Sequence, residues 1–198
     1  MGHREDLLEG AKRCLHEKGY ARTTARDLVQ ASGANLASIG YHYGSKEALL
    51  DAALLDAIGE MNDVLNQALQ EAGGFAAAWQ RFTEVLPAYR PLLVAQVEAW
   101  GQIERSPQLR ERFATFHQDE IVRGTQRAHA LDLGLDDHTV RAIADVTNAL
   151  ADGVVLQWLI DPDRAPTGSD LTLGIRALAD LMNRDETTAR NDTQQQQQ

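Results

Sequence analysis

An all-α fold is what this sequence predicts, and three observations carry the prediction. Apolar residues recur at three- and four-residue steps along most of the chain, no stretch shows the alternation of a half-buried strand, and Gly or Pro punctuates the periodic runs. The pattern divides into an N-terminal module of three short helices, residues 1–46, a larger helical body, 47–184, and a polar tail, 185–198. A long fourth helix joins the first two.

The first helix is expected from about Arg4 to Lys18, with Leu7, Leu8, Ala11 and Leu15 on one stripe and Gly19 as the stop. Thr24-Ala25-Arg26-Asp27 fits a capping box, with Thr24 capping the amides and Asp27 near the positive end of a second helix that carries Leu28 and Val29. Gly33 breaks the chain, Asn35 is placed to cap, and a third helix covers Leu36 to Tyr43, ended by Gly44. Ser45 caps the fourth helix, in which Leu50, Leu54, Ala57, Met61, Val64 and Ala68 recur until Gly73-Gly74.

Three helices are expected next, at about Phe75 to Leu86, Pro91 to Glu104 and Pro107 to Leu133, with Pro87, Pro91 and Pro107 as punctuation. The run from Asp137 to Ile160 is apolar around most of its circumference in its second half and must be covered on more than one side. A Pro-containing loop follows, and Ser169 caps a last helix with Leu171, Ile175, Leu178 and Met182. The tail after Arg184 ends in Gln194 to Gln198 and is expected to be disordered.

The formal charge of −10 argues against a nonspecific binder of nucleic acid, but it is uneven. Residues 1–50 carry seven Lys/Arg and six Asp/Glu, a net of +1, while the remainder holds 12 and 23, a net of −11. Such a division suits a protein that meets a polyanion through its first module only. The single Cys14 allows no internal disulfide, and there is no Cys/His cluster for zinc. With no signal-like start and no stretch near the roughly 20 uninterrupted apolar residues of a membrane helix, the cytoplasm is the expected location.

Three short helices with a glycine turn between the second and third satisfy the helix-turn-helix description, and the third would then enter the major groove. Its composition suits that place. Ala37, Ser38 and Gly40 permit close approach, Ser38 can meet a base edge, Tyr41 and His42 can donate to phosphates or stack, and Lys46 adds its charge at a helix N-terminus. Leu36 and Ile39 are left to hold the helix to the first two.

The run TTARDLVQASGANLASIGYHYGSKEALL, Thr23 to Leu50, resembles the DNA-binding domain of the tetracycline-repressor (TetR) family of bacterial transcription regulators. The matching features are Thr-Thr before the second helix, Arg-Asp within it, the turn Gly33, the Tyr-His-aromatic triplet and the Gly-Ser-Lys-Glu opening of the fourth helix. Carried over position by position, the resemblance implies DNA contacts at Thr24, Arg26, Ala37, Ser38, Tyr41, His42 and Lys46. Gly40 departs from the pattern, since many members have an aromatic there. ALADGVVLQWLIDP, Ala149 to Pro162, is similar to the penultimate helix of many members.

The resemblance further implies a homodimer formed by the last two helices, about 137–160 and 169–184, on a double-stranded, palindromic operator. It also implies a pocket in the middle helices for a small, lipophilic effector that releases the DNA. Among the aromatics that could line such a pocket, Trp79, Trp100, Phe116 and Trp158 are the leading candidates, with Gln96, Glu98, Gln102 or His117 as polar selectors. Each could equally serve as ordinary core. The alternatives are a dimeric DNA binder that needs no ligand and a helical enzyme. For the latter the chain offers no Gly-rich phosphate loop, no GxSxG elbow and no HExxH. His117 and His129, twelve residues apart, match no metal site, Cys14 reads as a buried or bystander thiol, and no cofactor is expected.

Overall fold

The computed structural model describes residues 3–71, 73–130 and 134–195. Among them are eight helices and no strand: α1 (His3–Lys18), α2 (Ala25–Ser32), α3 (Leu36–Tyr43), α4 (Lys46–Glu71), α5 (Phe75–Trp100), α6 (Pro107–Ala130), α7 (Asp137–Ile160) and α8 (Gly168–Gln195).

The head forms where the caps were expected. Thr24 Oγ1 accepts from the Asp27 amide at 3.3 Å and Asp27 Oδ2 accepts from the Thr24 amide at 2.8 Å, completing a capping box that starts α2. Gly33 ends α2 in the left-handed region, with φ of 71°. Asn35 Oδ1 then accepts from the Ser38 amide at 3.0 Å to start α3, and Ser45 Oγ accepts from the Ala48 amide at 3.0 Å to start α4. One requirement escapes the sequence pattern: a Cβ on Gly10 would lie 2.8 Å from that of Ser32, so α1 and α2 cross where only hydrogen fits.

Leu7, Ala11, Cys14 and Leu15 of α1, Leu28 of α2, Ile39 of α3 and Leu49, Leu50, Ala53 and Leu54 of α4 are buried together. Each such leucine contributes about 1.5–3 kcal/mol relative to exposure. The cluster runs without interruption through Ile58 and Met61 into Trp79, Leu86, Leu93, Ala95 and Ala99 of α5. Residue 46 is therefore not a seam in the packing, because the first half of α4 belongs to the head's core.

Several expectations are revised. The two helices expected around Pro87 and Pro91 are one, α5, which runs through both prolines. Each interior proline costs about 3 kcal/mol; here they stand four residues apart, and the burial of Leu86, Leu93, Ala95 and Ala99 in the core offsets that cost. The helix ends at Trp100, short of Glu104. The expected end of the next helix at Leu133 lies outside the described residues.

The last helix is capped by Thr167, not Ser169: Thr167 Oγ1 accepts from the Asp170 amide at 3.2 Å, and Asp170 Oδ2 accepts from the Thr167 amide at 2.9 Å. It continues to Gln195 instead of giving way to a disordered tail after Arg184, because nothing after Gly174 breaks the helix. Residues 196–198 lie outside the description.

Helix α7 keeps part of its apolar surface for a cover from outside the chain. It is not covered all round within the chain, since Val146 is 59% and Ile160 76% exposed, with Ile143 and Leu156 also uncovered. On α8, Leu173, Leu178, Leu181 and Met182 are exposed as well. By length and composition alone α7 could cross a membrane, with a mean hydropathy of 1.2 over its most apolar stretch. The amphipathic pattern leaves its apolar excess on a face that this chain does not fill.

Candidate nucleic-acid interface and adjoining cavity

The outward side of the head is set by what α3 turns inward. Ile39 is buried, and Tyr43 is tied to α1 by its hydroxyl, which donates to the Arg4 carbonyl at 2.9 Å, while the Arg4 guanidinium lies 5.7 Å from its ring centroid. Ala37, Gly40 and Tyr41 are left exposed, Tyr41 to 86%, and Tyr41 and His42 meet edge to face with centroids 4.9 Å apart. Leu36 does not hold α3 to its neighbours as expected: it is 62% exposed, one turn from Gly40 on the outward side. A Cβ added at Gly40 would meet nothing within 4 Å.

The head's seven cations are not equally available. The Lys12 ammonium contacts Glu9 at 3.0 Å and Glu60 at 2.8 Å, and also Asp56. Burial alone would lower its pKa, but the three carboxylates outweigh that and raise it. These acids stand close enough together to suggest a metal, but the Lys12 ammonium already occupies their centre. Arg13 donates to the Ala31 carbonyl, and Lys18 pairs with Asp27 at 2.5 Å. Asp27 is held well below the usual carboxylate range, first by Lys18 and then by Thr24.

Arg26 is exposed on the first turn of α2, with no ion pair or hydrogen bond among the described residues. Lys46 is half-buried and donates to the Thr23 carbonyl at 3.2 Å, beside Glu47 at 3.4 Å, so it pins the start of α4 against the approach to α2. Thr24 spends its hydroxyl on Asp27, and Ser38 donates to Asn35 Oδ1 at 3.1 Å. Both hydroxyls sit at helix starts on the outward side, with acceptor capacity left over.

Among the described residues, two hydrogen bonds join this head to α5 and α6 of the body. Glu98 of α5 accepts from the Ala21 amide at 3.0 Å, in the turn between α1 and α2. Arg112 of α6 donates to the Ala48 carbonyl at 2.8 Å, in the first turn of α4. Within the head, Tyr20 donates to the buried Asp51 of α4 at 2.5 Å. Burial raises the pKa of both members of this pair, while the Tyr20 hydrogen bond pulls Asp51 back down. Glu98 is thus a tether between regions, not the polar selector expected from the sequence.

In the body, a cavity of about 420 Å³ opens between α4, α5, α6 and α7, lined by Trp100, Phe113, Phe116, His117, Glu120 and Asp152 among others. A second, about 200 Å³, adjoins it and is lined by Trp79; the two share Asn62, Phe82, Glu120, Asn148 and Ala151. Of the four aromatics expected, Trp100 and Phe116 border the first space and Trp79 the second. Trp158 borders neither and lies under the Arg90 guanidinium, 5.6 Å from its ring centroid. Gln96 and His117 line the larger cavity, while Gln102 does not. Cys14 is buried in the head's core, where burial raises its pKa.

A helix-turn-helix head on a helical body, with an outward third helix, defines a DNA-binding transcription regulator. The comparisons agree: the family model for bacterial regulatory proteins, tetR family, matches residues 7–53. The HTH-type transcriptional repressor KstR2 of Rhodococcus jostii is 32% identical over 152 residues, 73% of this chain and 71% of that protein. The repressor AcnR of Corynebacterium efficiens is 30% identical over 126 residues, 62% of this chain, and the match spans 63% of that relative's length, just under two thirds. A solved structure of the multidrug binding protein EbrR, complexed with imidazole, shares the fold with a TM-score of 0.64 at 22% identity, covering 89% of this chain and 94% of that one. The chain belongs to the TetR family of bacterial transcription regulators. Both of these relatives are named as transcriptional repressors.

Proposed function

We propose that this protein is a cytoplasmic, ligand-responsive repressor that binds a palindromic operator as a homodimer and lets go when a small effector enters the body. The observation that carries the DNA reading is the outward face of α3, where Ala37, Gly40 and Tyr41 stand exposed, with Arg26 of α2 also exposed and without an ion pair or hydrogen bond among the described residues. Backbone and small side chains there allow close approach to base edges, and Thr24, Arg26, Tyr41, His42 and Lys46 ring the helix with groups suited to phosphates, with Ser38 on a base edge.

A single inserted helix reads few bases, whereas two related by a two-fold axis read both halves of a palindrome about 34 Å apart or a multiple of it. The uncovered apolar faces of α7 and α8 support pairing of two copies there. The cavity favours a ligand-responsive protein over one that binds DNA constitutively. It touches α5 and α6, the two helices that hold the head through Glu98 and Arg112, so an effector that shifts them changes the separation of the two heads. EbrR, a structural neighbour, was solved with a small organic molecule bound.

The test is a mobility-shift titration on the DNA flanking the protein's own gene, with a native mass measurement of the free protein. A dimer whose operator affinity falls with salt, and falls strongly in Tyr41→Ala and Lys46→Ala, is expected. Full binding by both variants would overturn the assignment of the reading head, and affinity indifferent to every effector tried would favour the constitutive reading.

A further inference from the structure

Two carboxylates border the larger cavity with oxygens that no aligned hydrogen bond satisfies among the described residues. Glu120 of α6 is only 7% exposed. Asn62 donates to its Oε2 at 3.0 Å, and its buried Oε1 is ion-paired with Arg123 at 2.8 Å, although no hydrogen bond to it is aligned. Asp152 of α7 is half-buried and receives no hydrogen bond among the described residues. Burial raises its pKa, and only His117 acts in the other direction.

The lining's permanent cation is Arg110, which is exposed and lies ten residues before Glu120 on the same helix, about 15 Å away along the axis. The rest of the wall is largely aromatic: Phe82, Trp100, Phe113 and Phe116. An anionic ligand would face two carboxylates, of which only Glu120 has a cation in contact, Arg123, and a neutral apolar one would leave Asp152 unpaired in a drier space. A positive centre suits the acidic lining and pairs Asp152, and aromatic faces attract it further.

We infer that the cavity is a site for an organic cation, a protonated or quaternary amine whose charge sits beside Asp152 and Glu120 and whose hydrocarbon body lies against Trp100, Phe113 and Phe116. The inference rests on the cavity being the effector site, and it replaces a merely lipophilic effector with a cationic one.

The experiment is calorimetric titration of the full chain, without DNA, with three probes that share a hydrocarbon body: phenylbutyl-trimethylammonium, phenylbutanol and phenylbutanoate. The ammonium should bind at least about tenfold more tightly than the alcohol, and the carboxylate most weakly. Asp152→Asn and Glu120→Gln should each weaken the ammonium at least about tenfold and leave the alcohol unchanged, while Asp119→Asn, at an exposed position outside this cavity, should change neither.

Thermal melts check that the variants fold; if Glu120→Gln does not, Asp152→Asn alone decides. Equal or tighter binding of the alcohol or the carboxylate, an ammonium affinity indifferent to Asp152→Asn, or no ammonium binding at millimolar concentration would each overturn the inference. An ammonium that binds as expected yet leaves operator affinity unchanged would instead sink the regulatory reading and leave this one standing.

Discussion

The head and the body keep their helices together by different means. In the head, α2 and α3 have eight residues each, too few to be stable alone, and side-chain caps start both. Lysine and arginine are spent on internal ties: Lys12 on three acids, Lys18 on Asp27, Arg13 on a carbonyl. In the body the helices run to 24 residues or more, two interior prolines are tolerated, and apolar side chains on α7 and α8 stay uncovered. The difference teaches where each region looks for its missing partner. The head closes on itself and presents an outward polar face, while the body is left with an internal hollow and an apolar flank.

The contrast can be broken at the junction first. Leu54 is fully buried where the two cores meet, so Leu54→Ala should cost about 2–5 kcal/mol. It should lower a single melting transition for the whole chain; two transitions followed by circular dichroism would mean that head and body are separate after all.

Substitutions on the outward face should do the reverse. Arg26→Ala and Tyr41→Ala are each expected to cost roughly 1–3 kcal/mol of operator binding, Arg26→Ala also reducing the salt dependence by about one ion, with the melting temperature unchanged. A large fall in stability would show that these side chains serve the fold.

The capping box gives a smaller effect. Thr24→Ala should lower stability by about 1 kcal/mol, read by denaturant titration. Asp27 has its pKa lowered in the folded chain, so its contribution is complete above the ordinary carboxylate value near about 4 and is lost as the pH falls through the folded value. Melting temperature plotted against pH should therefore drop over that acid range, and the drop should be shallower in Thr24→Ala. The smallest effect is expected at Gly40, where Gly40→Ala has open space and should stabilise α3 by at most about 1 kcal/mol. A loss of operator affinity in the same variant would mark Gly40 as the point of close backbone approach.

Much of the head was legible because its signals are local. Thr24 with Asp27, Gly33, Asn35 and Ser45 each act within four residues of themselves, and the structure uses all of them at the helix boundaries expected. In the body, Pro87 and Pro91 read as a break because a proline's cost is local, whereas the packing of Leu86, Leu93, Ala95 and Ala99 that offsets it is not. Glu98 looked like a pocket residue and Leu36 like core for the same reason: periodicity says which residues share a face, not what that face meets. The aromatics divided likewise, Trp79, Trp100 and Phe116 onto cavity walls and Trp158 beneath Arg90.

By itself, then, the sequence determined the helical class, the caps of the head and the outward chemistry of α3, because short-range hydrogen bonds and side-chain periodicity are written in neighbouring residues. Only the tertiary structure decided that Gly10 must stay a glycine against Ser32, that Glu98 and Arg112 reach from body to head, and that Glu120 and Asp152 face one hollow from two helices. Each of these depends on residues far apart in the chain, brought together by packing that no local pattern encodes.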